Sequence, residues 1–262
     1  MKSEAKCQVC NKTNWKLYFE RTNFSLLRCS KCNFVKTIKK GFIEINDEQY
    51  TDPKEPLNQF KNKKLIYEQA ATVLLNFLKN TPKNSSLLDV GCGLGWLLKQ
   101  AAALGYNAQG IDSSVTFVKA GRKLLGVKSR VKTLEELNTN KKYDVIVMSH
   151  VIEHVEDHKI FLKKTRELLK PNGKLLIACP NIDSILFKIQ KDKWFPLSPG
   201  VHLWQFSKRT LSRLLKNNGF KIEKITTTNL YHDEHSALMS FYFSLSTLLD
   251  KGDQIVCITT RK

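Results

Sequence analysis

Residues 87–98, "LLDVGCGLGWLL", join two apolar runs through three glycines at alternate positions. The first run is short and continuous, as in a buried strand, and the second has the pattern of a helix start. Glycines between two such elements let the backbone turn sharply and let a ligand approach the main chain closely. The sequence therefore predicts a strand, a ligand-binding turn and a helix in this order.

The residues around this turn argue against a dinucleotide ligand. A dinucleotide-binding turn has the pattern G-x-G-x-x-G, which requires glycine at position 96, where this chain has Trp96. Asp89, two residues before the first glycine, would repel a pyrophosphate and instead suits a ligand that carries an ammonium group. Asp112 ends the next strand-like segment, where an acid can accept hydrogen bonds from both hydroxyls of a ribose.

Strand and helix patterns alternate along the rest of the chain. Apolar residues recur at helical spacing between residues 57 and 79, before the first strand, and again in the later helices. This β-α-β order predicts an α/β fold with a mainly parallel, doubly wound sheet and ligands at the carboxyl ends of its strands. The predicted strands are 85–90, 107–112, 130–134, 143–149, 174–180, 221–228 and 254–260, and the predicted helices between them are 95–105, 114–126, 157–173 and 207–220.

Four cysteines near the start of the chain form two C-x-x-C pairs separated by 18 residues. Each pair can offer two thiolates from a tight turn, and two turns complete a tetrahedron, so the spacing predicts a zinc site. Four cysteine ligands leave no position for a substrate water, so the zinc is expected to be structural; free thiols are the alternative. The residues between the pairs have the pattern of a hairpin, and the expected ligands are Cys7, Cys10, Cys29 and Cys32.

The chain resembles class I S-adenosylmethionine-dependent methyltransferases in a set of motifs that follow one another over roughly residues 60–262. These motifs are "LLDVGCGLG", "GID", "YDVIVMSHVIEHV" and "LLKPNGKLLIACPN". The resemblance implies an enzyme with a Rossmann-like, seven-stranded methyltransferase sheet and S-adenosyl-L-methionine (SAM) as its cofactor. By the same resemblance, the residues that border the cofactor are Asp89, Gly91, Gly93, Gly95, Asp112, Ser113, Leu134, Glu135, Ser149 and His150.

Residues 180–220 narrow this resemblance to bacterial methyltransferases that carry an N-terminal zinc ribbon. Such enzymes act on sugars, surface-glycan precursors or secondary metabolites, and the segment after their fifth strand forms part of the acceptor pocket. The aromatic residues in this segment either line that pocket, where they could stack on a sugar or another ring, or pack in the core. They are Trp194, Phe195, His202 and Trp204.

Residues 149–158, "SHVIEHVEDH", contain the pattern H-x-x-E-H, which also occurs in one family of zinc peptidases. Here the pattern directly follows a strand and lies inside the methyltransferase motifs, which disfavours a peptidase. Two hypotheses remain beside simple capping and packing. Either His154 or His202 is a general base for an acceptor hydroxyl, with Glu153 orienting that base or holding a substrate hydroxyl, or the cluster binds a divalent cation. Quinone-pathway O-methyltransferases have E-x-x-E-H at this place, and His150 in the first position makes a hard-cation site less favourable.

The composition of the chain leaves nucleic acid open as a second class of acceptor. The formal net charge is +19, mostly from scattered lysines without a dense arginine cluster, which fits a solvated surface better than a nucleic-acid interface.

The first residues lack the apolar core of a signal peptide, and the apolar segment 236–249 is too short for a membrane span of roughly 20 residues. We therefore expect a cytoplasmic protein, in which segment 236–249 is a lid, a homodimer surface or a contact for a lipid-linked substrate.

The sequence thus predicts a zinc ribbon over residues 1–40, a connector and leading helix over 41–80, and a methyltransferase domain over 81–262. The expected reaction is transfer of the SAM methyl group to a hydroxyl of a small molecule or sugar, although an amine or carbon acceptor stays open. Catalysis of such a displacement rests mainly on alignment of nucleophile, methyl and sulfur. One alternative is an RNA methyltransferase that uses the ribbon and the basic surface. Another is a non-catalytic module that keeps the cofactor pocket, and the histidines on the acceptor side argue against it.

Overall fold

The expected alternation of strands and helices is present in the computed structural model, which describes residues 5–41, 52, 54–230 and 237–262, the side chains of 237–240 excepted. The strands are β1 (Trp15–Glu20), β2 (Phe24–Cys29), β3 (Val35–Lys39), β4 (Ser86–Val90), β5 (Asn107–Asp112), β6 (Ser129–Val131), β7 (Tyr143–Ser149), β8 (Leu169–Pro180), β9 (Trp204–Gln205), β10 (Phe220–Thr228) and β11 (Gln254–Arg261). The helices are α1 (Glu55–Asn62), α2 (Lys64–Asn76), α3 (Trp96–Ala103), α4 (Val115–Leu125), α5 (His158–Leu168), α6 (Ile185–Gln190), α7 (Lys208–Asn217) and α8 (Ala237–Leu248). Short 3-10 turns cover Ile152–His154, Lys191–Lys193 and Phe195–Leu197.

The larger sheet has seven strands in the order β10-β11-β8-β7-β4-β5-β6. Strands β4 to β8 pair in parallel, whereas β11 is antiparallel to both of its neighbours. The chain builds β4, β5 and β6 outward on one side and then crosses to β7 on the other side of β4. This crossing creates the crevice at the carboxyl ends of β4 and β7 where ligands bind in doubly wound sheets, and it confirms the predicted fold class.

Side chains of the central strands point alternately into two cores, one on each face of the sheet. In β7, Val145 and Val147 face a core that includes residues of α2 and α3. Their neighbours Ile146 and Met148 face a second core, which includes residues of α5 and α7. Helices therefore cover both faces of the sheet, so its strands are continuous apolar runs rather than half-polar ones.

Two predicted helix boundaries were wrong. The helix expected over residues 57–79 is two helices, because Lys63 leaves the helical region with φ −121° between α1 and α2. The helix that precedes β8 ends at Leu168, before Pro171, and β8 begins at Leu169. Tertiary pairing determined this second boundary, since Tyr143 in β7 already pairs with Leu169.

The N-terminal cysteine region, residues 5–39, forms a second sheet with strand order β1-β2-β3-β9. The predicted hairpin is β1 paired with β2. The fourth strand of this sheet, β9, pairs with β3 and comes from residues 204–205, far away in the sequence. Phe34 and three of the cysteines belong to the same core as α5 and α7. The region and the seven-stranded sheet therefore share one core. Residues 1–4, 42–51 and 53, which fall in the first two predicted domains, lie outside the described residues.

The apolar segment 236–249 contains helix α8, although residue 236 and the side chains of 237–240 lie outside the described residues. Phe243 packs inward, whereas Phe241, Leu245 and Leu248 share an exposed face, with 82% of Leu248 accessible. The homodimer surface expected there stays a prediction. Within the described ranges, no helix has the length and apolar character to cross a membrane.

Asp144, at the start of β7, fastens this strand to its two neighbours in the sheet. Its Oδ2 accepts hydrogen bonds from the backbone N and the hydroxyl of Ser86 in β4, at 2.8 and 2.7 Å, and from Nζ of Lys170 in β8 at 2.8 Å. Burial alone would raise the pKa of this carboxyl, but the Lys170 and Ser86 donors hold it at about 2.

We predict that Asp144→Ala lowers the free energy of unfolding at pH 7 by about 1–3 kcal/mol, because the Ser86 donors lose their acceptor. Because folding lowers the pKa of Asp144, the ionised carboxylate stabilises the folded state at pH values above the unfolded-state pKa of roughly 4. This contribution to the free energy of unfolding is lost as the pH falls towards 2. Urea denaturation between pH 7 and pH 2 measures the difference. Exposed Glu167→Ala is the control, and a deficit that stays constant down to pH 2 would contradict the role of the charge.

Candidate active site

The glycine turn between β4 and α3 lies at the carboxyl edge of the sheet. Backbone N–H groups of Gly91 and Cys92 donate to the carbonyl of Ile111 in β5, at 2.8 and 3.1 Å. Gly91 has φ +71°, and a Cβ there would come within 2.5 Å of Val151 Cγ2. Glycine is thus required at this position both for the left-handed backbone and for the close approach of residue 151.

Asp112, at the end of β5, holds the middle of this turn. Its two carboxylate oxygens accept the backbone N–H of Gly93 and that of Ser114, both at 2.8 Å. Gly93 has φ +51°, and no atom lies within 4 Å of where its Cβ would be. Each oxygen of Asp112 keeps a further lone pair, so the carboxylate can still accept ligand hydroxyls.

Asp89 is buried at the end of β4, close enough to Asp112 for the two charges to interact. Burial first, and then the Asp112 carboxylate, raise the pKa of Asp89 to about 8. Burial also raises the pKa of Asp112, against the opposing effect of the Ser114 and Gly93 N–H donors. A buried and a half-buried acid this close together form a site that favours a cationic ligand.

The other predicted cofactor residues follow neighbouring strands at the same edge. Ser113 is exposed directly after β5, while Leu134, three residues after β6, is buried and Glu135 beside it is exposed. Ser149 ends β7, and the His150 N–H donates to the carbonyl of Ala178 in β8 at 2.9 Å. His150 has φ +56°, an unusual conformation for a residue with a Cβ, and such residues often lie at functional turns.

Glu153, His154 and His202 form a compact cluster next to this turn. The Glu153 side chain is 1% exposed, and its Oε1 lies 3.3 Å from Nδ1 of His150 and 4.0 Å from Nε2 of His202. The His154 and His202 rings meet edge to face, with centroids 4.6 Å apart. Potential ligand atoms of Glu153, His154 and His202 all lie within 4.8 Å of one another.

The backbone around the cluster determines which histidine nitrogens are available. Nδ1 of His202 lies 2.8 Å from the carbonyl oxygen of Pro196, and Nδ1 of His154 lies 3.2 Å from that of Val201. A carbonyl only accepts, so both Nδ1 atoms carry a proton and each neutral ring keeps its lone pair on Nε2. Among the described residues, Oε2 of Glu153 has no hydrogen-bond donor, whereas Oε1 faces Nδ1 of His150 at 3.3 Å. The cluster therefore presents acceptors to a shared space, where a proton or a cation would be stabilised.

The charges of the cluster are strongly coupled. Burial would raise the pKa of Glu153, but the neighbouring His150, His202 and His154 bring it down to about 2. Burial lowers the pKa of His202 to about 4 despite the attraction of Glu153. At neutral pH the structure thus has an ionised Glu153 next to a neutral His202.

Most of the aromatic candidates for the wall of the acceptor pocket lie elsewhere in the structure. Trp194 is buried against Phe187, with ring centroids 5.4 Å apart, and Trp204 stacks on Phe34, so both belong to the core. Phe195 is 80% exposed. His158 is also fully buried, and its Nε2 lies 2.8 Å from the carbonyl of Ile152. Of the four aromatic candidates, His202 is the one that the structure brings to the cluster.

The four cysteines converge as their spacing predicts. The Sγ atoms of Cys7 and Cys32 are 3.5 Å apart, as are those of Cys10 and Cys29, and all four lie within 4.8 Å of one another. Four sulfurs around one tetrahedral zinc, each about 2.3 Å from the metal, have separations of this size. Burial raises the pKa of Cys7 to about 11, so its thiol ionises readily only when a cation binds. The donor set fits zinc, and occupancy stays a prediction.

Sequence patterns did not foresee how His202 reaches Glu153. The backbone N–H of Leu203 donates to the carbonyl of Glu153 at 3.0 Å, although 50 positions separate the two residues. Strand β9 has two residues, so no periodicity marks it. The only sequence signal was the resemblance that assigned this segment to the acceptor pocket.

Comparison with known proteins agrees with this geometry. The model of a family described as methyltransferase domain matches residues 62–225. A ubiquinone biosynthesis O-methyltransferase from Pelagibacter ubique is 32% identical over 201 residues, which cover 70% of this chain and 83% of that protein. One from Bartonella tribocorum is 33% identical over 137 residues, 48% of this chain. The chain spans 55% of the Bartonella relative's length.

A solved structure shares the fold. Magnesium protoporphyrin IX methyltransferase from Synechocystis PCC 6803, with bound SAM, superposes with a TM-score of 0.55 at 15% identity. The match covers 86% of this chain and 100% of that chain. At this identity the likeness shows the arrangement of the sheet and helices.

We predict that Asp112→Ala weakens binding of S-adenosylhomocysteine at least about tenfold, because the ligand hydroxyls and two backbone N–H groups lose their acceptor. Isothermal titration calorimetry measures the affinity. Glu223→Ala, a carboxylate on β10 far from the turn, is the matched control. Unchanged affinity of a folded Asp112→Ala protein would remove Asp112 from the cofactor site.

We also predict one zinc ion per chain in the purified protein and its loss in Cys10→Ser, because the site needs four thiolates. Inductively coupled plasma mass spectrometry measures the metal content. Cys92→Ala removes a cysteine outside the cluster and is expected to keep the zinc. Equal zinc contents of the two variants would argue against the four-cysteine site.

Proposed function

This chain belongs to the class I SAM-dependent methyltransferases, and from that premise we propose that it methylates a hydroxyl group of a small molecule. The family match and the relatives support the reaction type and the cofactor. The relatives named above are O-methyltransferases of ubiquinone biosynthesis, which favours an oxygen acceptor over nitrogen or carbon. They lend no support to a sugar or glycan acceptor, and the proposal therefore does not include one.

The observation that carries the proposal is the position of the Glu153–His154–His202 cluster beside the glycine turn. Val151 packs against Gly91, and the 3-10 turn that follows it holds Glu153 and His154. A group bound at the cluster would consequently face a ligand held by the turn. Methyl transfer requires such an arrangement, since the nucleophile must approach the methyl group in line with the sulfur.

A hydroxyl is a poor nucleophile until its proton leaves, and the cluster offers two ways to promote this. In the first, Nε2 of His154 accepts the proton as general base, while ionised Glu153 stabilises the imidazolium that forms. Burial lowers the pKa of His202 to about 4, so its imidazole is a weak base at neutral pH.

The second hypothesis is a divalent cation held by Glu153, His154 and His202. The unpaired Oε2 of Glu153 and the two Nε2 lone pairs favour it, and both Nδ1–H groups contact backbone carbonyls, as in metal sites. Two imidazoles and one carboxylate suit a transition-metal ion better than Mg²⁺. Bound there, the cation would lower the pKa of an acceptor hydroxyl.

We predict that the double variant His154→Ala/His202→Ala loses methyl transfer by about 100-fold or more under either hypothesis. The assay follows label from SAM into a panel of phenols, sugars and RNA. Exposed Glu156→Ala, in the same turn, is the control, and affinity for S-adenosylhomocysteine is expected to stay unchanged in both proteins. Turnover of the double variant at the wild-type rate would contradict both roles.

Metal analysis distinguishes the two hypotheses. A cation site predicts a second metal equivalent beside the ribbon zinc, which His202→Ala removes together with activity. A general base predicts one equivalent throughout and a loss of activity in His154→Ala that is larger than in His202→Ala. Methylation of RNA in preference to every small molecule would overturn the proposed acceptor class.

A further inference from the structure

We infer that the cysteine region, residues 5–39, supports the acceptor side of the active site, with Phe34 as a positioning residue that acts through Trp204. The inference extends the proposed function, because it assigns a role to the ribbon in holding the Glu153–His154–His202 cluster. It concerns the placement of the cluster rather than the chemistry performed there.

A chain of backbone hydrogen bonds links the ribbon to Glu153. The N–H of Thr37 in β3 donates to the carbonyl of Leu203, and the N–H of Leu203 donates to the carbonyl of Glu153, both at 3.0 Å. The segment that follows His202 is thereby held between the ribbon and the turn that carries Glu153. Strand β9 pairs with β3 through Trp204 and Gln205, and within the described residues β3 is its only strand partner.

A stack of aromatic rings reinforces this link. Phe34 is fully buried, and its ring lies nearly parallel to that of Trp204, with centroids 5.1 Å apart and a 6° interplanar angle. Nε1 of Trp204 donates to the carbonyl of Val155 at 2.9 Å, directly after His154. His158 packs on the same pair of rings and contacts the carbonyl of Ile152. The stack thus contacts the backbone on both sides of Glu153 and His154.

The cysteine cluster is coupled to this stack through the backbone. The N–H of Cys29 donates to the carbonyl of Phe34 at 2.8 Å, and Cys32 lies two residues before Phe34. Binding of a metal ion by the four cysteines would therefore restrict the position of Phe34. A strand of two residues cannot hold its own conformation, so β9 depends on its neighbours, among which β3 of the ribbon is the strand it pairs with.

Further contacts extend the support along the acceptor side. Nε2 of Gln8 donates to the carbonyl of Glu156 at 3.0 Å. At the other end of the ribbon, the turn between β1 and β2 reaches the loop before His202, where Arg21 and Asp192 form an ion pair of 2.7 Å. The ribbon thus contacts both segments that carry the cluster.

The glycine turn has a separate support. The hydrogen bonds described above tie it to Ile111 and Asp112 in β5. Neither residue hydrogen-bonds to or pairs with the described residues of the ribbon sheet, although Ile111 belongs to the same apolar core as Phe34. Loss of the ribbon structure would accordingly release the acceptor side and leave cofactor binding intact. This separation is the testable content of the inference.

The test measures hydrogen–deuterium exchange by mass spectrometry in the full chain. In Phe34→Ala we expect exchange in residues 151–156 and 201–206 to rise about tenfold or more, because their hydrogen bonds open locally. Exchange in β4 and β5 and the affinity for S-adenosylhomocysteine are expected to stay at wild-type values. Phe34→Leu is expected to restore most of the protection, and exposed Leu17→Ala, in the same ribbon, to change nothing.

The variant Cys10→Ser gives an independent perturbation if Phe34→Ala fails to fold. It is expected to produce the same two regions of faster exchange, without a change in β4 or β5. Wild-type exchange in residues 151–156 after either change would overturn the inference, as would a parallel loss of cofactor affinity. Hydrogen–deuterium exchange is measured without an acceptor substrate. The inference can therefore hold in a chain that does not methylate hydroxyls, and it can be overturned in a chain that does.

Discussion

The left-handed turn after β4 is the constraint on which the rest of the site depends. It brings the backbone close enough to Val151 that a side chain at position 91 would collide with it, and it directs the Gly93 N–H to Asp112. One short loop thereby fixes the ends of β4 and β5 and the beginning of the turn after β7 relative to one another. The proposed cofactor and acceptor sites are adjacent because both are built on this loop.

The charge of the whole molecule says little about the charge of this site. The chain carries a formal +19, yet the crevice contains Asp89 and Asp112, both buried enough to raise their pKa values. A ligand with a cationic group would relieve that cost by favouring the ionised carboxylates. The lysines are spread along the sequence, and an excess of this kind affects solubility and non-specific binding rather than the chemistry of a buried crevice.

The two halves of the proposed active site, one for the cofactor and one for the acceptor, are assembled in different ways. The cofactor half comes from consecutive elements, β4 to β5, whose hydrogen bonds close over about two dozen residues. The acceptor half combines Glu153 and His154 with His202 and, behind them, Phe34 of the ribbon. Local construction makes the first half robust, whereas the second depends on contacts between segments far apart in the sequence.

Local pattern was sufficient for much of this molecule. Alternation of apolar runs, glycines after a strand and paired cysteines each reflect interactions within a few residues, so the parallel sheet, the turn at Gly91–Gly95 and the convergence of Cys7, Cys10, Cys29 and Cys32 could be predicted from the residues themselves. Three features of the structure could not be predicted from local pattern. Strand β9 is too short to have a period, His158 is polar in type but fully buried, and Trp194 and Trp204 pack in the core rather than around an acceptor. Each depends on which distant segments meet, and that is set by the packing of the complete fold, which no local spacing encodes.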